Sequence, residues 1–200
     1  MTQEERDPVR RLPPGPHGLL PELVERNQRE RLIAAMAEVC AERGYGETSV
    51  AEVAKRAGVS TASFYRQFKD RQECMLASFE ELFGRLFEEL ERGCVEGSTP
   101  AERVRGAARV VAELLAADPP TARLLSVEVL AAGPDGVRAQ QSAIDLMAAR
   151  LRKGTAPAGA ADPAWAAVAA MASLVGKRVV EGGSATAAEL EALADLLKTP

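Results

Sequence analysis

Two hundred residues allow one large or two small domains, and a hydrophobic share of 46% can build a real core. Aromatics are only 4% of the chain, so aliphatic and alanine packing must build it. A formal net charge of −4 excludes a protein that coats nucleic acid indiscriminately, yet it leaves room for a local basic face.

The three cysteines, Cys40, Cys74 and Cys94, form no CxxC. With an N-terminus of charges and prolines where a signal would need an apolar run, they point to a reducing, cytoplasmic setting. No uninterrupted apolar stretch reaches the ~18 residues of a membrane span. No strand-like alternation persists, so the expected fold is all-α, with about nine helices.

Residues 1–20 read as an arm, because Pro8, Pro13, Pro14 and Pro16 prevent regular structure. Its Arg6, Arg10 and Arg11 suit either a DNA-touching arm or a solvated tail. Helix 1 is expected from about residue 21 to Arg43, with Leu32, Ile33, Met36, Val39 and Cys40 on one face and Gly44 as its stop. Helix 2 starts at Ser49, which forms an S-x-x-E capping box with Glu52, and ends at Gly58. Ser60 caps helix 3, which turns Phe64 and Phe68 inward. Asp70 and Glu73 open helix 4, Arg71–Gly93, striped by Leu76, Phe79, Phe83, Leu86, Phe87 and Leu90.

Thr99-Pro100-Ala101-Glu102 opens helix 5. Asp118-Pro119 opens helix 6, expected to carry Leu124, Leu125, Val127 and Leu130 inward. Gly133-Pro134 separates it from helix 7, which carries Val137, Ile144, Met147 and Leu151. Residues 154–161 read as a loop. Helix 8 starts at Asp162-Pro163, is apolar nearly all round through Val175, and ends at Gly182-Gly183. Thr186 and Glu189 cap helix 9.

The stretch from Thr48 to Arg71 is spelled as a helix-turn-helix, whose second helix enters a DNA major groove. Lys55, Arg56, Arg66, Lys69 and Arg71 face a single acid, Asp70, within residues 55–71. Ser60, Thr61, Ala62 and Ser63 are small or polar, as close approach to base edges requires. Tyr65, Gln67 and Lys69 can donate to phosphate oxygens. Thr48 and Ser49 sit at a helix N-terminus, where free N–H groups favour an anion. Arg56 and Arg71 suit solvated or ion-paired positions.

This run, Gly44…Thr48-x-x-x-Glu52-Val53-Ala54-x-x-Ala57-Gly58-Val59-Ser60-x-x-x-Phe64-Tyr65-x-x-Phe68-x-x-Arg71, resembles the DNA-binding signature of the TetR/AcrR family of bacterial repressors. The likeness covers roughly residues 28–76. It implies an all-helical homodimer with a three-helix DNA-binding head at 21–70 and a divergent ligand-binding and dimerisation body at 71–200. It also implies release from operator DNA when a small molecule binds. Positions matching Thr48, Thr61, Ala62, Ser63, Tyr65, Gln67 and Lys69 lie at or near DNA in that family.

In the body, a pocket would be walled by Phe79, Phe83, Phe87, Val111, Leu115, Leu125, Val129, Met147 and Trp165, all equally suited to a plain core. Such walls favour a small hydrophobic or aromatic effector. Glu128 would face either that pocket or solvent. Helices 8 and 9 read as the dimer interface, with Ala169, Ala172 and Gly176 allowing close helix approach. A ligand-independent DNA-binding or architectural protein with a filled core is the alternative. An enzyme lacks any candidate group: the one histidine, His17, lies in the arm, no metal cluster or phosphate loop is spelled, and no cofactor is expected. Cys74, early in helix 4, is a place where a modified thiol could tilt the head.

Overall fold

The computed structural model describes residues 21–93, 99–152 and 162–198. The arm with Arg6, Arg10, Arg11 and His17, together with Cys94 and the loop 154–161, lies outside them. Among the described residues the chain is entirely helical, with no strand.

The elements are α1 (Pro21–Arg43), α2 (Val50–Ala57), α3 (Thr61–Gln67), α4 (Arg71–Gly93), α5 (Pro100–Ala117), α6 (Pro119–Ser126), α7 (Pro134–Arg152), α8 (Pro163–Val180) and α9 (Ala187–Ala192). A 3₁₀ turn, Glu128–Ala132, separates α6 from α7, and a second, Leu193–Lys198, follows α9.

Local caps set most of these boundaries. Full capping boxes join Ser49 to Glu52, Thr99 to Glu102 and Thr186 to Glu189. Asp118 and Asp162 cap α6 and α8, each followed by proline in the first turn. At α4 the Glu73 N–H binds Asp70 Oδ1 at 2.8 Å, but the Glu73 carboxylate returns to the Lys69 N–H instead of that of Asp70. The expected box is therefore offset by one residue.

α1 packs on α2, α4 and α6, and so touches both the helix-turn-helix and the larger bundle. Leu32, Ile33, Met36, Val53, Phe64 and Phe68 form the sealed core of the first unit. In the second, α4 to α8 pack around a cavity and α9 lies on α5. Along α4 the rings of Phe79 and Phe83 stack parallel at 6.0 Å, and Phe87 follows at another 6.0 Å. Gly84 sits mid-helix among them, and no atom lies within 4 Å of where its Cβ would stand.

Helix 6 is shorter than its apolar pattern suggests. It ends at Ser126, and the chain tightens into the 3₁₀ turn. The angular step per residue changes there, so the stripe does not continue: Leu130 is 41% exposed and Val137 on α7 is 44% exposed. The turn and α7 then approach so closely that a Cβ at Gly136 would lie 1.9 Å from the Val129 carbonyl oxygen. Gly176 likewise serves packing within the chain, since a Cβ there would stand 3.3 Å from the Ser126 carbonyl of α6.

Candidate DNA-binding interface and internal cavity

The α2–α3 unit is built by local chemistry. Gly58 takes the left-handed conformation (φ 64°), which frees the chain to turn, and its N–H and that of Val59 satisfy the last carbonyls of α2. Arg31 of α1 binds the Ala57 and Gly58 carbonyls and fixes the turn to the first helix. Ser60 caps α3 by accepting the Ser63 N–H at 3.0 Å. Phe64 and Phe68, both fully buried, orient the helix, and the Arg29 guanidinium lies 4.6 Å from the Phe68 ring centroid.

With those rings inward, Thr61, Ala62, Tyr65, Arg66 and Lys69 face solvent on one stripe, and Ser49 and Ser60 are exposed beside it. Tyr65 is 58% exposed, with its ring edge-on to the buried Phe64 at 5.5 Å between centroids. Arg66, absent from the residues expected at DNA, belongs to this stripe, and its place on the helix wheel was the signal for it. Gln67 is half-buried, with its amide 3.5 Å from the Glu25 carbonyl.

Two of the residues expected at DNA have buried side chains. The Thr48 side chain is buried and donates to the Gly44 carbonyl at 2.9 Å, so only its backbone stands near the α2 N-terminus. Ser63 is also buried: its hydroxyl lies 3.1 Å from that of Ser60 and accepts from Arg66 at 2.7 Å. Both close local hydrogen bonds that a groove-facing side chain would have to break. Arg56 is bound by Glu38 and Glu42 of α1 at 2.9 and 2.7 Å, which takes its charge away from the exposed stripe.

Arg71 has a role its sequence context does not announce. Its guanidinium stands 4.3 Å from the Tyr45 ring centroid and binds the carbonyls of Tyr45, Gly46 and Thr48. It ties the first turn of α4 to the α1–α2 turn. From the other side, Glu128 Oε2 accepts the Tyr45 N–H at 2.7 Å, and Oε1 accepts Arg123 Nε–H at 2.8 Å. Glu128 thus faces neither a pocket nor water. It is a buried bridge from the 3₁₀ turn to the helix-turn-helix unit.

The cavity among α4 to α8 measures about 80 Å³. Of the residues expected to wall it, Phe79, Phe83, Val111, Leu115, Leu125 and Met147 do so; α7 and α8 add Ile144, Val168, Met171 and Val175. Ser126 and Gln140 are the polar side chains of the lining. Phe87 opens instead onto a second cavity of about 20 Å³. Val129 is sealed in the core, and Trp165 lies outside the lining, donating its indole N–H to Asp145 at 2.8 Å. Cys74 is fully buried, and burial pushes its thiol up to about 12; Cys40 is pushed up to about 11. Both stay protonated and shielded at neutral pH, the opposite of what a reactive thiol needs. Among the described residues no group of acids, histidines and cysteines could hold a metal, and no helix is long and apolar enough to cross a membrane.

The geometry is thus a capped helix-turn-helix with one exposed polar face, set on an all-helical body. Residues 32–77 match the domain described as "Bacterial regulatory proteins, tetR family". The fatty acid metabolism regulator protein of Bacillus subtilis is 34% identical over 74 residues, a stretch covering 37% of this chain and 38% of that protein. In overall fold the chain is similar to the fatty acid degradation regulator FadR of Bacillus halodurans, with a TM-score of 0.71, 20% identity and coverage of 85% and 94% of the two chains. FadR of Bacillus subtilis, solved in complex with stearoyl-CoA, gives 0.66 at 22% identity, covering 84% and 96%.

Proposed function

We propose that this protein is a cytoplasmic, ligand-responsive repressor that binds a near-palindromic operator as a homodimer and is released by a small hydrophobic ligand of the acyl type. One observation carries the reading: α4 supplies Phe79, Phe83 and Leu86 to an apolar cavity, and its first residue, Arg71, grips the α1–α2 turn. A ligand that fits one arrangement of α4 better than another biases the position of the DNA-binding helix by that difference in affinity. An open cavity favours this over a ligand-independent regulator with a filled core. The acyl class is supported by the cavity's apolar walls, the name of the Bacillus subtilis relative and the stearoyl-CoA complex of its FadR.

In this reading residues 21–70 form the DNA-binding unit and residues 71–200 the ligand-binding and dimerisation unit. Ser60, Thr61 and Ala62 face base edges, while Ser49, Tyr65, Arg66, Gln67 and Lys69 face phosphates. The dimer forms through α8 and α9, with the exposed Val180 near its edge. Two α3 helices then stand about one DNA turn, ~34 Å, apart.

The test is operator binding at several salt concentrations, with an operator selected from random duplexes. Lys69→Ala should weaken binding to every sequence and lower the salt slope by roughly one unit. Thr61→Ala should change sequence preference and leave the slope alone. If Lys69→Ala moves neither affinity nor slope, the phosphate face is misassigned.

A further inference from the structure

Two cavities of the body share one lining side chain. Met147 lines both the larger cavity and the smaller one beyond it, where it meets Phe87, Leu90, Ala107 and Leu151. Met147 is itself buried, at 8% exposure, so its thioether stands in the packed interior as a partition. Methionine suits that place: an unbranched chain with several rotatable bonds swings aside more readily than a branched or aromatic residue.

The polar groups of the larger cavity lie elsewhere. Ser126 and Gln140 line it and also the open groove between α6, α7 and α8. The charged residues around the small cavity are already engaged: Arg150 pairs with Glu91, and Arg103 donates to the Leu151 carbonyl at 2.5 Å. The arrangement therefore runs from a polar end at Ser126 and Gln140 to a second chamber past Met147, walled by Phe87, Leu90, Ala107 and Leu151 and rimmed by Glu91, Arg103 and Arg150. A compact ring system fits the first chamber alone; a single flexible alkyl chain is the shape that uses both.

We propose that Met147 is a length-determining residue of the ligand site, and that the chamber behind it receives the terminal carbons of an unbranched alkyl chain. This deepens the proposed function and rests on its reading of the larger cavity as the ligand site. A group the size of a water needs ~10–15 Å³ of such space, so the small chamber of about 20 Å³ admits one or two carbons before it must widen. Removing the thioether arm joins the chambers; replacing it with a ring closes them off.

The experiment is calorimetric titration of the full-length protein with saturated straight-chain fatty acids from octanoic to octadecanoic acid. Wild type should gain about fourfold in affinity per methylene up to an optimum length. Met147→Ala should move that optimum two or three carbons longer, and Met147→Phe should move it shorter. Met147→Leu, close in volume, should keep the wild-type optimum and confirms that the fold tolerates change there. If no chain of any length binds wild type, the larger cavity is not an alkyl site and the underlying reading fails. If chains bind but the optimum is the same in the alanine and phenylalanine variants, the role of Met147 is refuted. Should the alanine variant fail to fold, the phenylalanine variant still decides.

Discussion

Glu128→Ala tests the bridge between body and DNA-binding unit. The carboxylate accepts the Tyr45 N–H at 2.7 Å and is 5% exposed, so its loss strands a buried donor. A hydrogen bond to a charged acceptor contributes about 1.5–3 kcal/mol. The Arg123 pair adds less, because Arg123 is 32% exposed and rehydrates; a surface-like 0–1 kcal/mol is the appropriate figure. The sum is about 1.5–4 kcal/mol, or roughly 3–16 °C in Tm for a chain of this size. Glu128→Gln keeps an acceptor for Tyr45 and should lose about half as much. Thermal unfolding reads the stability, and amide hydrogen exchange at Tyr45 reads the contact itself. Exchange there should accelerate in the alanine variant without a matching change in the α3 amides beyond the global loss. An unchanged Tm together with unchanged exchange at Tyr45 would refute the bridge. If the bridge also carries ligand information, the ratio of operator affinities with and without an alkyl ligand should shrink towards one.

Two further outcomes follow from packing and burial. Gly136→Ala forces a methyl to within 1.9 Å of a backbone oxygen, so the 3₁₀ turn must move; urea denaturation should show a loss of about 1–3 kcal/mol or more. The buried thiols predict alkaline sensitivity. Their folded values, about 11 for Cys40 and about 12 for Cys74, lie above the ordinary 9.0. The contribution is complete below pH 9 and is lost as the unfolded thiols ionise and pH climbs through 11 to 12. A Cys40→Ala/Cys74→Ala double variant should therefore lose less stability than wild type between about pH 8 and about pH 10. Equal losses would show that the thiols are not the cause.

What could be read from the chain was local. The caps Ser49–Glu52, Thr99–Glu102 and Thr186–Glu189 are written within four residues, and the structure closes each one. Phe64 and Phe68, one turn apart, both point inward, which leaves Tyr65 and Lys69 outside. The burial of Thr48 and Ser63 is not legible, because a small polar residue beside a helix terminus suits a local hydrogen bond and a ligand equally, and only the completed turn decides. Glu128 and Tyr45 meet across 83 positions, a pairing that periodicity cannot encode. Leu130 and Val137 were read as inward because their stripe was extrapolated through a change of helical step. The cavity walls were partly legible because α4, α5 and α7 keep their phase; Trp165 and Val129 lie where that phase was unknown.

Gly84 sets the compliance of α4. A helix of 23 residues is about 35 Å long, so a tilt of about 5° around its middle carries each end roughly 1.5 Å. Glycine at the centre lowers bending resistance and costs about 0.5–1 kcal/mol relative to alanine, with no packing need to justify it. Phe79 and Phe83 lie on the Arg71 side of Gly84 and Phe87 lies beyond it, so a bend at the glycine lets the two halves of α4 move by different amounts. The position that gives α4 this freedom lines neither cavity.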